Sequence, residues 1–133
     1  MKLNIRRLQN SDLEIVKKWW EQWPDWTAPA DDFLPETGVV IEYDSKPVFV
    51  GFIYLTNAKV ALIEWIVSDP NWKNKNRKKA LELLITGCEN VIKELGYNYG
   101  FSVCRHKNLI ETHKKLGWVV DDKPSHELVK ILK

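Results

Sequence analysis

The chain has 133 residues, the size of one ordinary domain and too short for two. Its 44% hydrophobic and 29% charged residues are globular composition and exclude long disorder. No apolar run approaches the roughly 20 residues of a membrane helix, so no membrane segment is expected. Twenty basic against 18 acidic residues leave +2, too little for global charge to imply nucleic acid. Residues 1–7 lack the apolar stretch of a signal peptide, and Cys88 and Cys104 are too few for a disulfide framework. A cytoplasmic protein with reduced thiols is the expectation.

Leu3, Ile5 and Leu8 mark a short opening strand. Ser11-Asp12-Leu13-Glu14 reads as a capping box, a hydroxyl at a helix start with a glutamate three residues on. Leu13, Val16, Trp20 and Trp23 follow at helical spacing, with Ile15 and Trp19 widening the face, and Pro24 stops the helix. Residues 24–36 hold three prolines and four acids without a period, which describes an ordered surface loop. Residues 39–43 and 48–55 read as a hairpin around the turn residues Asp44, Ser45, Lys46 and Pro47.

Residues 60–67 are a third apolar run, ended by Asp69-Pro70-Asn71. Ala80, Leu81, Leu84, Cys88, Val91, Ile92 and Leu95 form one helical stripe, closed by Gly96. A strand at 97–104, a short helix at 109–116 with Gly117 behind it, and strands at 118–120 and 128–132 complete the chain. The predicted order is β-α-β-β-β-α-β-α-β-β. It describes a single α/β (α+β) domain over residues 1–133, a mixed central sheet with helices on both faces.

Lys73-Asn74-Lys75-Asn76-Arg77-Lys78-Lys79 places five cations in seven residues where the long helix begins. A helix N-terminus carries partial positive charge and unpaired N–H groups, so it prefers acids. Cations there make sense if an anion docks: amides, dipole and side chains then converge on a phosphate. The plainer alternative is a solvated helix end, in which each exposed mismatch costs little.

Residues 63–81 resemble the central motif of the GNAT acetyltransferase superfamily, a strand ending Val-x-x-Pro, then Arg/Gln-x-x-Gly-x-Gly/Ala and a helix. Here Val67-Ser68-Asp69-Pro70 precedes Lys73, Asn76 and Lys78, which stand at the Arg/Gln and the two glycine positions. Lys115-Leu116-Gly117-Trp118 resembles the family's second motif, and the element order extends the likeness over nearly the whole chain. The resemblance implies an acetyl-CoA-dependent N-acyltransferase, with Lys73, Asn74, Lys75, Asn76, Arg77 and Lys78 holding the pyrophosphate. It assigns Asn108 to the cofactor, two residues out of the usual register. Asn76, at a glycine position, is expected to take a left-handed backbone. Lys78 either turns outward or adds a phosphate contact.

Acetyl transfer to an amine needs a base, an oxyanion donor and an acid for the thiolate. The resemblance gives these roles to Glu64, to backbone N–H groups around Ile66 and Val67, and to His113 at the family's tyrosine position. For Glu64 and His113, an ordinary structural place on strand and helix is the competing account. Cys104, His106 and His113 lack a paired Cys-x-x-Cys, so no metal is expected. Trp19, Trp20, Trp23, Trp26 and Phe33 stand near Asp25, Asp31, Asp32 and Glu36, a composition suited to a cationic small-molecule or peptide amine. Their helical spacing equally suits a core. Two alternatives to an enzyme follow: a GNAT-fold module that binds an anion or a protein without turnover, and a nucleic-acid patch at 73–79, which the modest charge and missing stacking platform argue against.

Overall fold

A computed structural model describes residues 2–133, and its elements follow from which face each apolar stripe must bury. The order is β1 (Leu3–Arg7), α1 (Asp12–Gln22), β2 (Gly38–Tyr43), β3 (Lys46–Leu55), β4 (Val60–Ser68), α2 (Arg77–Glu94), β5 (Tyr99–Phe101) and α3 (Lys107–Lys115). The strands lie in sequence order; β1 to β4 are antiparallel, and β5 joins β4 in parallel. Val16, Trp19 and Trp20 of α1 cover one sheet face, where they meet Val40, Val50 and Phe52. Ala80, Leu84, Cys88, Val91 and Ile92 of α2 cover the other, against Val39, Ile41, Phe49, Ile53, Ala61 and Ile63. Successive residues of β2 thus feed opposite cores, as the two-residue period of a strand requires. No helix among the described residues is long and apolar enough to cross a membrane.

The start of α1 differs from the expected capping box. Ser11 makes no side-chain cap hydrogen bond. Asp12, one residue on, accepts the Gln9 N–H at 2.8 Å and both Nη atoms of Arg6 at 2.9 and 2.8 Å. Arg6 Nε reaches Glu42 Oε2 at 2.9 Å, so one guanidinium ties β1, β2 and α1. Ser11 has helical backbone, φ −62° and ψ −19°, and not the extended backbone that presents an N-cap hydroxyl to the first-turn amides.

The strands expected at 118–120 and 128–132 do not form. Trp118 folds back instead: its Nε1 donates to Glu89 Oε2 at 3.0 Å, and its ring covers Gly100. Residues 119–133 have no ladder partner, and Leu128 is 92% exposed. Its ion pairs to the rest of the chain, Glu127 with Arg105 and Lys133 with Asp32, are largely exposed and add little. The strand expected at 97–104 shortens to three residues for a related reason, since β4 bends away from it beyond Leu62.

Gly38 lies under β3, where an added Cβ would stand 2.6 Å from the Gly51 carbonyl oxygen. Backbone cannot move aside like a flexible side chain, so Gly38→Ala should cost about 1–3 kcal/mol in urea unfolding. Arg6 holds the Asp12 carboxyl below the usual carboxylate range. The unfolded chain therefore takes up that proton first. The stability Asp12 contributes is full above about pH 4 and is lost as pH falls through the lower folded value. Asp12→Asn should cost about 1.5–3 kcal/mol at pH 7, with the gap to wild type closing below pH 4.

Candidate functional site

Glu64 pairs with Phe52 and Val67 with Val50, so Trp65 and Ile66 together oppose Gly51 alone. This is a β-bulge, and Trp65 takes φ +57°, a left-handed value rare for a bulky residue. Ile63 faces the α2 core, yet Trp65 packs with the α1 core and Ile66 again with α2. The extra residue has reversed the alternation. Trp65 is held in place by edge contacts with Trp20 and Phe33 and by Nε1 donating to Tyr54 Oη at 2.8 Å.

Just ahead of the bulge, beyond Leu62, the β4–β5 ladder ends, and side chains bridge the gap that backbone pairing leaves. Ser102 Oγ donates to Ile63 O at 2.7 Å, and Val103 N–H donates to Glu64 Oε1 at 2.7 Å. Half-buried Glu64 is pushed up in pKa by desolvation, which outweighs the Val103 amide; Glu127 pushes the same way. Below the divergence opens a cleft of about 930 Å³. Ile66, Val67 and Ser68 of β4, Arg77, Lys78 and Leu81 of α2, and Asn108 and Thr112 of α3 line it. Trp23, Asp25, Trp26 and His106 line its far side, where Trp26 and His106 stack at 6.1 Å.

The sequence-predicted residues divide. Ile66, Val67, Arg77, Lys78 and Asn108 meet on the cleft, whereas Glu64 stands beside it on the divergence. Lys73, Asn74, Lys75 and Asn76 form the loop before α2 without lining the cleft. Asn76 is the N-cap at φ −89°, not left-handed, because Asn74 Oδ1 accepts its N–H at 2.9 Å and shapes the turn without a glycine. The Arg77 guanidinium turns inward onto Ser68, Asp69 and Trp72. At the helix start, the Lys78 and Lys79 amides precede the first intrahelical bond, Ala80 N–H to Asn76 O at 2.9 Å.

His113 lies off the cleft. It is 3% exposed, its Nδ1 donates to Leu109 O at 2.8 Å, and its ring abuts Trp118 at 4.8 Å. Val67 is committed too. Asp69 N–H donates to Val48 O, and strand alternation puts the Val67 amide on the same β3 side. Ser68 then faces the cleft, where its carbonyl accepts Trp23 Nε1 at 2.8 Å. Trp23, read from the sequence both as part of the core stripe and among the aromatics beside the acids, packs on the α1 core and lines the cleft. Trp19 and Trp20 are core, which removes them from any aromatic cage.

No protein-family model and no curated protein matches the chain. Solved structures do match. An aminoglycoside acetyltransferase from an uncultured soil metagenomic sample, in complex with trehalose, superposes with TM-score 0.69 at 16% identity, covering 98% of this chain and 97% of its own. A GCN5-related N-acetyltransferase from Ralstonia eutropha JMP134 gives TM-score 0.69 at 16% identity, over 96% and 99%. AAC(6')-Iy, bound to a bisubstrate analogue of CoA and acetylneamine, gives 0.67 at 16%, over 98% and 100%.

Glu64 allows a pH test independent of any ligand. Its raised pKa means that the folded chain holds this proton more tightly than the unfolded one. The sign is therefore opposite to Asp12: stability falls as pH rises from about 4.3 through the folded value. Glu64→Gln keeps an oxygen for the Val103 amide and removes the charge. Its denaturation midpoint should exceed wild type at pH 7, and the difference should vanish near pH 4.

Proposed function

On this fold, that of the GNAT N-acetyltransferases, we propose that the chain transfers an acetyl group from acetyl-CoA to an amine by direct attack in a ternary complex. The observation that carries the proposal is the meeting, on one cleft, of the first turn of α2, with Lys78, and the divergent end of β4. Free amides, helix dipole and cation together suit a diphosphate. The open side of β4 offers unpaired backbone to an extended, amide-bearing arm. The residues present fit the donor, which when bound supplies the thioester that the amine attacks.

Glu64 is the general base. Val103 occupies Oε1, which leaves Oε2 to take the ammonium proton, directly or through water, and burial raises its basicity. With Val67 paired to β3, the oxyanion donor is the backbone at Ile66, where the bulge breaks the ladder. His113 carries no acid role, since both its burial and its Leu109 bond keep it from the cleft. Asp25, Glu111 and the Trp26–His106 stack favour a cationic acceptor. A second reading, binding without turnover, is favoured by one contact: Trp23 holds the Ser68 carbonyl that an incoming arm would use.

Calorimetry with CoA and acetyl-CoA tests the donor site, and the absence of binding by either at millimolar concentration rejects it. Lys78→Ala should weaken CoA by about 1–3 kcal/mol, the scale of a charge-assisted hydrogen bond. Acetyl transfer across an amine panel, absent in Glu64→Gln at pH 7, separates the enzyme from the binding module.

A further inference from the structure

Arg77 is a partly buried guanidinium with an unusual set of partners. Nη1 donates to Asp69 O at 3.2 Å and Trp72 O at 2.6 Å, and Nη2 to Ser68 Oγ at 2.6 Å. Its Cζ lies 5.4 Å from the centre of the Phe49 ring. Among the described residues no carboxylate forms an ion pair with it, although such a charge is normally paired. All three acceptors instead belong to the end of β4 and the loop leading to α2. Its backbone N–H closes the same loop on Asn74 O at 3.1 Å. The loop's acceptors therefore point inward to one side chain, while the next two amides, of Lys78 and Lys79, take no part in the loop's backbone hydrogen bonds.

We propose, resting on the reading that the cleft takes acetyl-CoA, that Arg77 is a positioning residue that clamps residues 68–77 from inside and so aims the Lys78 and Lys79 amides at the donor's diphosphate. It supplies the loop shape that glycines would otherwise permit. The planar fork is essential to this role, because an ammonium is a point donor and cannot span three acceptors in fixed directions.

The test compares wild type, Arg77→Met and Arg77→Lys by CoA calorimetry and by amide hydrogen exchange without ligand. Both variants should bind CoA about tenfold more weakly or worse. In both, the amides of residues 72–79 should exchange faster while those of β3 keep their protection. Ser68→Ala, which keeps the arginine and removes one acceptor, should shift both readouts the same way and serves if Arg77→Met does not fold. Wild-type CoA affinity in Arg77→Lys would mean that charge alone suffices and would overturn the proposal. Faster exchange spread evenly over the domain would also overturn it, as a simple loss of stability. If wild type itself binds no CoA, the functional reading fails, whereas ligand-free exchange at 72–79 still decides whether Arg77 clamps the loop.

Discussion

The bulge at Trp65 and Ile66 is the constraint on which the rest of the site depends. Two residues against Gly51 reverse the core that each later side chain of β4 faces, and β5 pairs only with Val60–Leu62, ahead of the bulge. A left-handed tryptophan costs about 1–3 kcal/mol and persists only where its surroundings over-determine it. Here Trp20, Phe33 and the Tyr54 hydroxyl do so, and Tyr54 in turn donates to Phe33 O at 2.8 Å. The α1 core and the loop behind it thus hold open a cleft on the far side of the strand. Strain in β4 and the aromatic cluster are one structural feature seen from two sides.

At the mouth of α2 the electrostatics are sorted by direction. Lys78 lines the cleft, while the Arg77 cation is spent on neutral oxygens of the loop. Five cations in seven residues would be costly around a helix N-terminus if they were equivalent. They are not equivalent, since one is an internal brace and the others remain solvated or face the cleft. Glu64 shows the same economy: one carboxylate oxygen stitches the diverging strands and the other stays available for a proton.

Aromatic residues are divided by depth in a comparable way. Trp19 and Trp20 fill the α1 core, whereas Trp23 and Trp26 continue past the helix end onto the cleft. Helix termination at Pro24 makes this possible, because Trp23 already has an extended ψ of 122°. Asp25 of the following loop is carried out beside them, so that end of the cleft combines ring faces with negative charge.

Local chemistry was enough to set the mixed α/β architecture, the two helix stripes, the hairpin turn and the basic helix entrance. Periodicity is a property of neighbouring residues, and so are the Pro24 stop and the Gly96 and Gly117 closures, both with φ near 90° in the structure. Tertiary structure alone decided the rest. Ser11 took helical backbone and lost its capping place, while Asp12 beside it was drawn into a fork with Arg6 of β1. Asn74 shaped the turn at Asn76 without left-handed backbone, and a contact with Trp118 buried His113. The last two strands have the right pattern but no ladder, since a strand's stability lies in its partner and not in its own sequence. The bulge, finally, is invisible to alternation because it consists of the alternation's failure, and only the pairing of Gly51 against two residues reveals it.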